Sequence, residues 1–194
     1  MDKPTVLVFA GPNGSGKSTV TKAYTVSGIY INADDIKRFR GCTDLEAAQE
    51  AELLRETLLD SRKDFTFETV LSTPRNLILL DKAKKAGYYI KSVFVLTADA
   101  ELNVMRVKTR VQTGGHDVPE DKIRNRYVKS LKMVSKLALL CDELAVFDNT
   151  DRPEVIYKKD DEGEVFLPND FWDEAEIKEL IKADSQIAIY EAFA

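Results

Sequence analysis

Gly11-Pro12-Asn13-Gly14-Ser15-Gly16-Lys17-Ser18-Thr19 matches the phosphate-loop pattern G-x-x-x-x-G-K-[ST]. Ahead of it, Thr5-Val6-Leu7-Val8-Phe9-Ala10 is an apolar run with the length and β-branching of a buried parallel strand. Behind it, Thr19-Val20-Thr21-Lys22-Ala23-Tyr24 begins a helix expected to run to about Val26, short of Gly28. Strand, glycine loop and helix in that order are the context that gives the pattern its meaning.

The chemistry requires these residue types. Gly11, Gly14 and Gly16 allow positive φ and let backbone N–H groups close on an anion, with Pro12, Asn13, Ser15 and Thr19 completing the loop. The helix N-terminus adds partial positive charge. Lys17 would bridge the β- and γ-phosphates, and the Ser18 hydroxyl would coordinate Mg²⁺. The reading is a site for a nucleoside triphosphate with Mg²⁺.

Composition bounds the rest. The 194 residues fit one domain, with a core over 4–153 and a hairpin and helix appended over 154–194. Hydrophobic residues at 44% and charged ones at 31% are ordinary for a globular chain. A net charge of −5 without a basic tract argues against a nucleic-acid partner. Cys42 and Cys141 lie far apart without metal-ligand spacing and read as reduced thiols. Met1-Asp2-Lys3-Pro4 leads straight into the first strand, which leaves no leader peptide, and no apolar run approaches the roughly 20 residues of a membrane span. The expectation is a cytoplasmic protein with no membrane partner.

Strands are expected at 29–32, 65–69, 90–96 and 144–148, alternating with helices. That alternation predicts an α/β fold, a three-layer α/β/α sandwich around a mostly parallel five-stranded sheet. Asp44 is expected to cap a long helix with Leu45, Ala48, Leu54 and Leu58 on one face. Thr73-Pro74 opens another helix with Pro at its first position, and Gly87 closes it. Asp99 starts a helix bearing Arg106 and Arg110, and Gly114-Gly115-His116-Asp117 interrupts it. Pro119 opens a helix whose buried stripe is Ile123, Tyr127, Leu131, Val134 and Ala138. Residues 155–167 read as a β-hairpin, and 173–182 as a final helix anchored by Phe171 and Trp172.

Phosphoryl transfer asks a protein for a carboxylate that takes the acceptor's proton and for cations on the developing phosphate charge. Asp34, after the second strand, is the candidate base, and Asp35 the candidate helix cap. Glu68 and Thr69, at the exit of the third strand, are candidates for holding substrate. Arg106, Arg110 and Arg126 bracket the glycine turn as lid cations, whereas Arg124 points away as a surface residue. His116 is the only histidine, so a histidine-cluster metal site is excluded and a lid-ordering role is left to it. Asp148-Asn149-Thr150 would border the base pocket.

Several stretches together resemble one family. The loop at 11–19, Ile-Asn-Ala-Asp-Asp-Ile at 31–36, Phe-Glu-Thr-Val-Leu-Ser at 67–72, Gly-Gly-His-Asp-Val-Pro-Glu at 114–120, Ile-Arg-Asn-Arg-Tyr at 123–127 and Phe-Asp-Asn-Thr at 147–150 look like the small zeta-toxin-like kinases. The resemblance covers most of 4–167 and implies an ATP- and Mg²⁺-dependent kinase acting on a hydroxyl of a small molecule. In the toxins proper the acceptor is a UDP-N-acetyl amino sugar, and a separate antitoxin protein is the partner. Carried over, Lys17 and Ser18 serve nucleotide and metal, Asp34 is the base, Glu68 positions substrate, and the arginines form the lid. Two alternatives stay open: a housekeeping metabolite or nucleoside kinase, and a non-enzymatic ATP-dependent switch.

Overall fold

The computed structural model describes residues 3–115 and 117–182. His116 and residues 183–194, and with them the expectations placed there, lie outside the described residues. In chain order the elements are β1 (Thr5–Ala10), α1 (Lys17–Thr21), β2 (Ile29–Ile31), α2 (Ala33–Arg40), α3 (Asp44–Asp60), β3 (Phe65–Thr69), α4 (Arg75–Lys85) and β4 (Tyr89–Leu96). There follow α5 (Ala100–Gln112), α6 (Glu120–Lys132), α7 (Val134–Leu140), β5 (Glu143–Asp148), β6 (Glu154–Asp160), β7 (Gly163–Phe166) and α8 (Glu174–Lys182).

The strands form one sheet in the order β2-β3-β1-β4-β5-β6-β7. The first five are parallel, and β6 and β7 add in antiparallel fashion. Among the described residues the sheet therefore has seven strands rather than the expected five. The segment 154–166 does read as a hairpin, but β6 is bonded along β5 and buries Ile156 and Tyr157, so it extends the sheet. Sequence pattern identifies a hairpin from its own turn and gives no sign of the strand it will join.

Alternation along the central strands decides the layers. Val6, Val8 and Ala10 of β1, with Phe65 and Phe67 of β3, face a large core shared with α3, α4, α7 and α8. Leu7 and Phe9 turn to the opposite face and pack with Val20 of α1, Val93 and Val95. Buried side chains of α5 and α6 (Val104, Val107 and Ile123) make a third cluster beside the phosphate loop. Because β1 has β3 on one side and β4 on the other, strand order reverses there, and the crevice beyond its carboxyl end is where such sheets bind ligands.

Several local expectations are corrected. The helix after the loop ends at Thr21, well before Val26. The cap of α3 is Thr43, whose hydroxyl accepts the N–H of Glu46 while Glu46 accepts that of Thr43, a capping box. Its buried residues are Ala47, Ala51 and Leu58, and Leu45 is 68% exposed. Pro74 is the cap of α4 rather than its first residue, and Asn32 rather than Asp35 caps α2. The helix expected after Pro119 is divided at Met133 into α6 and α7. Asp99 caps α5 as expected, its side chain accepting the N–H of Glu101 at 2.9 Å.

Candidate active site

The phosphate loop is held tightly from two sides. A Cβ at Gly14 would lie 2.4 Å from the Asn103 carbonyl of α5, and one at Gly16 would lie 2.1 Å from Asn149 Nδ2. Both glycines also have φ of +81°, so no other residue fits without shifting the loop. Asn149, buried after β5, donates from Nδ2 to the Ser15 carbonyl at 2.8 Å. Arg106 in turn donates to the carbonyls of Asn149 and Thr150 at 2.8 and 2.9 Å. The Asp148-Asn149-Thr150 segment, expected at the base pocket, thus braces the loop, and Arg106 braces that segment.

Lys17 opens α1, and its ammonium donates to the carbonyls of Gly11 and Pro12 at 2.8 and 3.2 Å. Burial lowers its pKa from 10.5 to about 8; the Glu68 carboxylate opposes this, Arg110 adds to it, and Asp34 opposes it. Ser18 and Thr19 are exposed; Ser18 lines the cavity described next. Ser15 is buried, and its hydroxyl has no hydrogen-bond partner among the described residues. The loop's backbone geometry and this lysine suit a polyphosphate, and the hydroxyl of Ser18 suits a hard cation beside it.

A cavity of about 940 Å³ opens above the loop. Asn13, Gly14, Gly16, Lys17 and Ser18 form one wall, Asn32, Asp34, Ala47 and Ala48 another, and Glu68, Thr69 and Val70 a third. Arg106, Arg110, Lys122 and Arg126 close it from α5 and α6. Arg126 reaches the loop directly, donating to Asn13 Oδ1 at 3.2 Å. A second hollow of about 630 Å³ shares Asp34 and Asp117 and runs between α2 and Gly114–Gly115.

The structure places the expected residues unevenly. Lys17, Asp34, Glu68, Arg110 and Arg126 share the cavity. Asp34 lies in the first turn of α2, its N–H donating to Asn32 Oδ1 at 2.9 Å, while Asp35 pairs with Arg38. Thr69 turns its hydroxyl into the fold, accepting from Leu71 N–H at 2.9 Å and Asn76 Nδ2 at 2.7 Å. Its carbonyl accepts the N–H of Gly11, tying β3 to the loop. Arg124 pairs with Glu101 and Glu120 at the surface. Phe171 is 46% exposed, whereas Trp172 packs against the main core.

The sequence matches the zeta toxin family model across residues 1–162. The chain belongs to the zeta toxin family. A further relative of this zeta toxin family member is a cytidylate kinase of Sulfurisphaera tokodaii, 30% identical over 168 residues, which cover 79% of this chain and 91% of the relative. Among solved structures, a chain from the PezAT chromosomal toxin–antitoxin system of Streptococcus pneumoniae is similar at TM-score 0.58 and 17% identity, covering 95% of this chain and 80% of that one. A chain from the AvrRxo1-ORF1:-ORF2 complex with ATP is similar at TM-score 0.70 and 14% identity, covering 96% of this chain and 65% of that one. The likeness to these two structures is one of fold.

Two side chains at the site were given no role in the sequence reading. Asn32 caps α2, and Tyr30 donates its hydroxyl to Glu68 Oε1. A signal existed: Tyr30 and Asn32 alternate with core-facing Ile31, as Glu68 alternates with Phe67 and Thr69. Pairing β2 with β3 is what aligns them, and pairing is a long-range fact.

Proposed function

We propose that the chain is an ATP- and Mg²⁺-dependent kinase of the zeta toxin type, moving the γ-phosphate of ATP onto a hydroxyl of a small metabolite. The observation that carries this reading is one cavity lined by the glycine loop, Lys17, Asp34, Glu68, Arg110 and Arg126. The Asp34 carboxylate takes the proton of the acceptor hydroxyl as its oxygen bonds to the γ-phosphorus and the bond to the β-phosphate oxygen breaks. Lys17 leaves the carbonyls of Gly11 and Pro12 for phosphate oxygens, exchanging two neutral acceptors for anionic ones. Arg110 and Arg126 offset the charge that develops on the transferred group, and Glu68 orients the acceptor. Mg²⁺ on Ser18 would neutralise phosphate charge. Gly11, Pro12, Asn13, Gly14, Ser15, Gly16 and Thr19 shape the nucleotide loop, Arg106 supports it, and Thr69 borders the acceptor.

The resemblance to the zeta toxins proper points to a UDP-N-acetyl amino sugar as acceptor, and the likeness to a chain of the PezAT toxin–antitoxin system to a separate antitoxin protein as partner. A second acceptor class, a nucleoside monophosphate that would take the γ-phosphate on its own phosphate oxygen and so need no base at a hydroxyl, is favoured by the 30% identity to a cytidylate kinase. Mass spectrometry of protein incubated with ATP, Mg²⁺, UDP-N-acetylglucosamine and CMP decides between them, with Asp34→Asn as control. The expected result is one added phosphate on the sugar nucleotide with wild type alone. Phosphate on CMP selects the second class, and bound ATP with no phosphorylated product would leave the ATP-dependent switch.

A further inference from the structure

Parallel pairing sets Tyr30 of β2 beside Thr66 of β3, and alternation places Glu68 on the same face two residues on. Ile31, by contrast, points into the core with Phe65 and Phe67. Tyr30 is 38% exposed, so core packing does not dictate where its hydroxyl goes. It goes to Glu68 Oε1. The same phenol oxygen accepts from Asn32 Nδ2 at 3.4 Å, and Asn32 Oδ1 accepts the Asp34 N–H at 2.9 Å. Four consecutive groups therefore run Glu68, Tyr30, Asn32 and the backbone of Asp34, and the two ends of that chain are the acids facing the phosphate loop.

We propose that Tyr30 is a positioning residue: with Asn32 it ties the Glu68 carboxylate to the N-terminus of the helix bearing Asp34, so both acids meet an acceptor as one rigid unit. This rests on the phosphoryl-transfer reading. Partial desolvation and the adjoining carboxylate hold the Tyr30 phenol above its ordinary pKa, in line with the protonated, donating form that the hydrogen bond requires. With Oε1 fixed in this way, Glu68 is left to accept a hydroxyl or amide N–H of the acceptor through Oε2. The acceptor class implied carries such a donor beside the hydroxyl that is phosphorylated. A hydrogen bond to a carboxylate is worth enough that losing its orientation slows the reaction about ten- to a hundredfold.

The test is a double-mutant cycle of wild type, Tyr30→Phe, Glu68→Gln and the double variant. Rates are read from γ-labelled ATP with UDP-N-acetylglucosamine, CMP or water as acceptor, with the KM for ATP and the melting temperature recorded alongside. Tyr30→Phe is expected to lower kcat/KM for the acceptor about tenfold or more, with the KM for ATP and the melting temperature unchanged. In the Glu68→Gln background the same change is expected to add less than about twofold. Tyr30→Phe at wild-type rate, or an equal penalty with and without Glu68, overturns the proposal while the kinase reading stands. A wild type that turns over ATP with none of the three acceptors removes both.

Discussion

Lys17 shows how one residue can be typed from sequence while its state is set by the fold. The motif names it, but its part-buried position against the carbonyls of Gly11 and Pro12, and a pKa lowered to about 8 by desolvation against the opposing pull of Glu68 and Asp34, come from the fold. As pH rises through about 8 the ammonium of the free protein loses its proton, so ATP affinity is expected to fall where an ordinary lysine, at 10.5, would still be charged. Stability moves the other way. The unfolded chain holds its lysine proton up to 10.5 and binds more protons than the fold between about 8 and 10.5, so this group's contribution to stability grows with pH across that window. Glu68→Gln removes the carboxylate that most favours the charged form and should shift the loss of affinity to lower pH. Calorimetric titration of ATP across the alkaline range checks this; an affinity flat to about pH 10 would contradict it. At this scale the position of Asp34 and Glu68 at the cavity was legible, because the carboxyl ends of the strands face it, whereas their roles remain proposals. Tyr30 was not legible, because its partner is 38 residues away.

Helices show where local signals succeed and where they are overridden. Thr43 and Asp44 are both good caps by type, and the choice falls on Thr43 because Glu46 sits three residues on and completes the box. Thr43→Ala is expected to cost about 1 kcal/mol in urea unfolding, and Asp44→Ala to leave the cap intact. Equal losses from the two would refute that assignment. The buried face of α3 shares only Leu58 with the expected one, because periodicity gives large apolar residues more weight than small ones. Ala47 and Ala51 let the helix lie close to the sheet, and Ala47 and Ala48 leave room for the cavity. Leu45 and Leu53 are turned outward, at 68% and 67% exposure.

Across the whole molecule, the parallel centre of the sheet was readable from five apolar runs alternating with helices, and the site followed from where their carboxyl ends meet. The antiparallel extension was not, since nothing within residues 154–166 identifies β5 as the neighbour. Among the described residues no helix is long and apolar enough to cross a membrane. Tyr157, fully buried in β6 with its ring centroid 5.2 Å from that of Phe166, joins the hairpin to the main core. We propose that core and hairpin form one cooperative domain. Tyr157→Ala should then lower global stability by about 3–5 kcal/mol, with Trp172 fluorescence and far-ultraviolet circular dichroism following one transition. Two separated transitions would identify the hairpin as an independent appendage instead.

In the proposed mechanism Asp34 acts on the acceptor hydroxyl and takes no part in holding the nucleotide. Measuring ATP affinity and γ-phosphate transfer on the same preparations of wild type and Asp34→Asn tests it most directly. ATP affinity is expected within about twofold of wild type and transfer slowed about a hundred- to ten-thousandfold. Transfer at the wild-type rate, or loss of ATP binding in step with transfer, would contradict that mechanism.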